Sequence, residues 1–238
     1  MEAPDIQRAV SRFIRVLSID FRIEPPKAVY ADIERPYHGY YDLGYRTILI
    51  RTAESYVILH EFVHYLQHES VGWVKIRGPE FLVHEAFEET ADMIARSLNK
   101  IYSNVFMDIL SGKKVSPLGY RTVARHLFED LIMGHIRTIE KSLKMLIDPN
   151  IDYEKKVDIL LGIETEVEKI KRIFPYFCRV RFGKWNAECK RLLQNLEMIG
   201  VKIRTATIDE LKKHGFGKIV ETIKSYCDAF IRDVQEVI

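Results

Sequence analysis

A chain of 238 residues, 47% of them hydrophobic, is long enough for one two-lobed core or two small ones. Its 36 Lys and Arg against 34 Asp and Glu leave a net charge of +2, which argues against nucleic-acid binding as the main activity. Three widely spaced cysteines, Cys178, Cys189 and Cys227, do not suit a disulfide framework, and no stretch resembles a signal peptide or a membrane span. The expected address is therefore the cytoplasm, with neither nucleic acid nor membrane as partner.

In chain order, residues 4–18 place Ile6, Val10, Phe13, Ile14 and Leu17 on one helical face after a proline and an acid. The period then changes to two. Residues 28–33 read as one strand, and 39–50 as two strands around Asp42, Leu43 and Gly44. Residues 54–67 return to an apolar helix, and it carries His60-Glu61-Phe62-Val63-His64, the pattern HExxH. Histidines four apart project from one face on adjacent turns, so both imidazoles can reach one ion at about 2.0–2.1 Å. Glu61, beside the first histidine, has the position of a general base for the water completing the tetrahedron.

Residues 84–96 form a second helical pattern. Ala86, Thr90, Met93, Ile94 and Leu98 make an apolar stripe, and Glu85, Glu88 and Asp92 lie on a neighbouring one. A carboxylate ligand, and an acid one turn later, can face the histidine pair together. Asp92 is then expected to accept the second ring N–H of His60 or His64. His84 is a further ligand or a surface histidine, and His68 reads as a solvated or capping residue.

On these residues the chain resembles a gluzincin, the thermolysin-like class of zinc metallopeptidase. In that class HExxH is followed by a helix bearing Glu-x-x-Ser/Ala-Asp, matched here by Glu88-Glu89-Thr90-Ala91-Asp92. The resemblance implies Zn2+ held by His60, His64 and Glu88, with Asp92 behind them. The gap from His64 to Glu88 exceeds thermolysin's by a few residues, which keeps Glu85 and Glu89 open as ligands. The metzincin pattern does not apply, since Gln67 and Ser70 stand where it needs glycine and histidine. The order helix, small sheet, active-site helix, glutamate helix is similar to that of compact gluzincins. It implies an edge strand over 38–51 above the metal that holds an extended peptide.

Beyond residue 100 the chain reads as helices near 101–111, 119–147, 153–174, 184–198 and 207–236. The expected breaks are 111–117, 148–150, Phe182-Gly183 and Gly215-Phe216-Gly217. Leu160, Ile163, Val167, Ile170 and Phe174 step by three and four, as do Trp185, Cys189, Leu192, Leu196 and Ile199, which is bundle-core spacing.

The expectation is an α+β, mainly α fold, with a zincin-like catalytic unit over 1–112 and a helical bundle over 113–238. The function implied is a zinc-dependent peptidase, an endopeptidase because no Gly-x-Met-Glu-Asn-type stretch precedes His60. Its partner is a peptide or protein substrate. Tyr102, Tyr120, His126 and His135 are candidates for stabilising the oxyanion. The alternative is a zincin-fold regulator or scaffold whose helical C-terminal region binds a protein partner.

Overall fold

Helix dominates the computed structural model, which describes residues 3–33, 37–69, 80–184, 186–205 and 208–238. The described elements are α1 (Ala3–Asp20), β1 (Lys27–Tyr30), β2 (Gly39–Asp42), β3 (Thr47–Ile50), α2 (Ser55–Glu69), α3 (Glu80–Leu110) and α4 (Tyr120–His126). A π-helical segment (Leu127–Ile132), α5 (Met133–Leu146), α6 (Tyr153–Phe182), α7 (Ala187–Thr205) and α8 (Ile208–Gln235) follow. With one small mixed sheet among so much helix, the class is α+β, mainly α.

The chain falls into two compact units. One comprises Met1–Leu127 and Tyr176–Lys184, the other Phe128–Pro175 and Trp185–Ile238. In the first, the sheet has the order β1-β3-β2, with β1 parallel and β2 antiparallel to β3. Tyr40 pairs with Leu49 and Tyr41 with Ile48, which leaves β2 at an edge. The apolar face of α1 becomes core, since Val10, Phe13, Ile14 and Leu17 are buried. Phe13 packs on Phe106 of α3 at 4.9 Å between ring centres, and Phe21 meets Phe62 of α2 edge-on at 5.5 Å.

Asp20, 1% exposed, closes this unit. It accepts hydrogen bonds from the Tyr102 hydroxyl at 2.7 Å, from Leu118 N at 3.1 Å and from Gly119 N at 2.8 Å. One carboxylate thus joins the end of α1, the middle of α3 and the start of α4, and it satisfies amides that a helix beginning leaves open.

In the second unit, Ile139 and Leu143 of α5, Ile163 and Val167 of α6, Leu192 and Leu196 of α7, and Phe230 of α8 are buried. The stripes of α6 and α7 are therefore core, except that Trp185 lies outside the described residues. A π-helical segment interrupts the helix expected over 119–147, α7 runs to Thr205 rather than 198, and three expected interruptions are helical instead. The helices over 84–96 and 101–111 are one helix, α3, because neither glycine nor proline interrupts that run. Helix α6 continues through Pro175, where Phe174, Tyr176 and Phe177 are all buried. Their burial outweighs the roughly 3 kcal/mol that an interior proline costs. Helix α8 likewise runs through Gly215-Phe216-Gly217, since each glycine costs only about 1 kcal/mol in a helix. No helix among the described residues is long and apolar enough to cross a membrane.

Candidate metal centre

Helix α2 buries Ile58, Leu59, Phe62, Val63 and Leu66, and this turns His60 and His64 together toward α3. Their Nε2 atoms lie 3.0 Å apart. Glu88 of α3 completes a triangle, with Oε2 3.3 Å from His60 Nε2 and Oε1 3.4 Å from His64 Nε2. Four-coordinate zinc with bonds of about 2.0–2.1 Å needs ligand atoms about 3.3–3.4 Å apart; the two distances to the Glu88 oxygens match that edge, and the histidine pair stands somewhat closer. Two imidazoles and a carboxylate also suit zinc chemically. Among the described residues these three are the group arranged to hold a metal ion. His60 is shifted below the usual histidine range by burial and by His64, with Glu88 opposing, so its ring favours the neutral form that coordinates.

The structure selects among the acids of α3. Glu88 faces the histidines, whereas His84, Glu85 and Glu89 are exposed and outside the triangle. Asp92 does not take a ring N–H. Its two carboxylate oxygens are held by the Tyr56 hydroxyl and by Arg96 Nε, the latter at 2.6 Å. Burial works to raise its carboxyl, but these hydrogen bonds outweigh it and hold Asp92 below the usual carboxylate range. Asp92 reaches His60 through its charge alone.

The ring N–H of His64 is met instead by Gln67, whose Oε1 lies 2.7 Å from His64 Nδ1. Gln67 Nε2 donates to the Phe87 carbonyl at 2.9 Å, and the side-chain amide is hydrogen-bonded with the buried Tyr176 hydroxyl. His60 Nδ1 is buried and has no hydrogen-bond partner among the described residues. His68 is exposed in the last turn of α2, as expected of a solvated residue. Its Nδ1 lies 3.1 Å from the Tyr41 hydroxyl and 3.1 Å from Glu69, pinning the end of α2 to β2.

Glu61 is 7% exposed and is hydrogen-bonded to the backbone of Tyr41 in β2. Burial, then the charge of Glu88, pushes its carboxyl up to about 8. The strand passes so close because residue 39 is glycine. A β-carbon there would stand 2.8 Å from Val57 Cγ1, 2.9 Å from Glu61 Cγ and 3.1 Å from Glu61 Oε1. Of the edge strand expected over 38–51, only β2 lies at the edge, against the helix that carries HExxH, whereas β3 is the central strand.

Comparison with known proteins gave no match, whether to a family model, a curated protein or a solved structure.

Of the four residues named as oxyanion partners, Tyr102 is bound to Asp20. Tyr120 lies 3.5 Å beneath the Arg22 guanidinium. His126 Nε2 lies 2.8 Å from the Ser97 carbonyl and 3.0 Å from its hydroxyl. His135 belongs to the second unit, paired with Glu166 at 2.7 Å. Sequence reasoning missed Gln67, Gly39 and Tyr56. The i,i+3 spacing from His64 would have pointed to Gln67, and the i,i−4 spacing from His60 to Tyr56. Gly39 carries no such local signal, because its close neighbours are some twenty residues away.

Proposed function

We propose that this chain is a zinc-dependent metallopeptidase of the gluzincin type, an endopeptidase acting on peptides or proteins. One observation carries the reading: two imidazole nitrogens of α2 and the Glu88 carboxylate of α3 converge within 3.0–3.4 Å, with the buried Glu61 beside His60 on α2. Three protein ligands leave a fourth position open, and the half-exposed Glu88 side chain keeps the site accessible, as a catalytic rather than a structural centre requires.

Zinc, when bound, supplies Lewis acidity that polarises a carbonyl and makes water more acidic. Glu61 then has the protein's part in the chemistry. It takes the proton of the attacking water on a carboxylate oxygen and delivers it to the leaving nitrogen. Its burial suits both steps, because a carboxyl with raised affinity for a proton accepts one readily and holds it until the amine departs. With a cation held by His60, His64 and Glu88, the Glu61 carboxyl would hold its proton less tightly and stand ionised before each turnover. Among the described strands β2 lies at an edge of the sheet, a position that supports a substrate bound as an extended peptide by strand addition. Three buried cysteines, none in a disulfide, support a reducing compartment such as the cytoplasm.

The deciding experiment is elemental analysis of purified wild type, Glu88→Ala and Glu61→Gln, joined to cleavage of a mixed-peptide library. The proposal expects about one zinc per chain in wild type and Glu61→Gln, much less in Glu88→Ala, and cleavage by wild type alone. Wild type that takes up no zinc on reconstitution would sink it.

A further inference from the structure

Gln67 is 6% exposed, and a buried primary amide must find partners for both its oxygen and its nitrogen. Those partners determine more than the placement of Gln67. The Phe87 carbonyl can only accept, so the side of Gln67 facing it must be the NH2 group. That leaves Oε1 facing His64 Nδ1 at 2.7 Å. An amide oxygen also only accepts, so the proton of a neutral His64 must sit on Nδ1. Its Nε2 is then a bare lone pair, and Nε2 is the atom that lies 3.0 Å from His60 Nε2 and 3.4 Å from Glu88.

Resting on the peptidase reading above, we infer that Gln67 is the positioning residue of the centre: it locks His64 in the metal-binding tautomer and tethers the backbone beside Glu88. Phe87 directly precedes Glu88, so one amide orients one ligand and holds the strip of helix that presents another. Hydrogen bonding to Tyr176 keeps the amide from rotating. His60 has no corresponding aid, since its Nδ1 lacks a partner among the described residues and Asp92 is engaged by Tyr56 and Arg96. The preorganisation of the histidine pair therefore depends on Gln67 to an unusual degree.

The test compares wild type with Gln67→Met, which keeps the shape and removes the polar atoms, and with Gln67→Glu, which keeps an acceptor for Nδ1–H. Two quantities are read: the His64 tautomer in metal-free protein, by nitrogen-15 NMR, and zinc affinity, by competition with a chromogenic chelator. The expected result is Nδ1–H in wild type and in Gln67→Glu. In Gln67→Met the ring moves toward the Nε2–H form that free histidine prefers, and zinc affinity falls about 10–100-fold. A folded Gln67→Met with the wild-type tautomer and affinity overturns the inference. If Gln67→Met does not fold, an Nε2–H ring in Gln67→Glu overturns it and an Nδ1–H ring supports it. Failure of wild type to bind zinc sinks the peptidase reading instead, and the tautomer comparison still decides the role of Gln67.

Discussion

Gly39 and Glu61 touch across the gap between β2 and α2, with room for a hydrogen at position 39 and none for a methyl group: a β-carbon would come within 2.9 Å of Glu61 Cγ. The neighbouring Tyr41 is hydrogen-bonded through its backbone to the Glu61 carboxylate. The strand edge and the proposed base are thus placed by one contact. Gly39→Ala is expected to lower stability by about 1–3 kcal/mol through overpacking. It should also lower peptidase activity more than zinc content, because the displaced group is Glu61 and not a metal ligand. Thermal unfolding together with a zinc assay checks both parts.

Glu61→Gln keeps the volume of the side chain and its place beneath β2 but cannot take a proton. The expected loss of turnover is about 10²–10⁴-fold with zinc retained. In wild type, treatment with a chelator should abolish cleavage, and added zinc should restore it. Undiminished hydrolysis by Glu61→Gln would remove Glu61 from the mechanism.

Asp20 receives three hydrogen bonds while 1% exposed, and its removal strands the donors gathered around it. Asp20→Ala is expected to cost about 2–4 kcal/mol. Tyr102→Phe removes one donor and leaves the carboxylate its two backbone partners, so it should cost distinctly less. Denaturant midpoints of the two variants give the comparison.

Glu166 belongs to a half-buried cluster with His135 at 2.7 Å and Lys169 at 3.1 Å. Burial works to raise its carboxyl, but the hydrogen bonds and charges of His135 and Lys169 prevail and hold it below its ordinary value of 4.5. A carboxyl depressed in the folded state adds stability above 4.5, and that stability is lost as pH falls through the lower folded value. The stability difference between wild type and Glu166→Gln should therefore be full at neutral pH and shrink in the acid range below 4.5. A difference that stays constant down to the acid transition would contradict the pairing.

The three thiols are buried, and Cys227 is pushed up to about 12 by burial and then by the charges of Asp228 and Glu140. A raised thiol pKa means a protonated, unreactive sulfur at pH 8, with a thiolate fraction of roughly one in ten thousand for Cys227. No cysteine of the native protein should react with an aromatic disulfide reagent at that pH. All three should react in denaturant, and a fast native phase would locate an opening of the fold.

What the sequence determined by itself is what depends on distances along one element. The helical period puts His60 beside His64 and Glu61 next to them, whatever surrounds the helix. Alternation and the Asp42-Leu43-Gly44 turn likewise specify the β2–β3 pair locally. The tertiary structure decided everything that depends on how elements approach one another. Glu85, Glu88 and Glu89 are equivalent as residue types, and the packing of α3 on α2 turned only Glu88 to the histidines. The same packing gave the ring N–H of His64 to Gln67, since Tyr56 and Arg96 had engaged Asp92. Helix α6 crosses Pro175 because buried side chains to either side outweigh a local preference worth at most a few kcal/mol. Helix propensity is a short-range term. Ligand geometry is a sum over packed neighbours, and those neighbours are far apart in the chain.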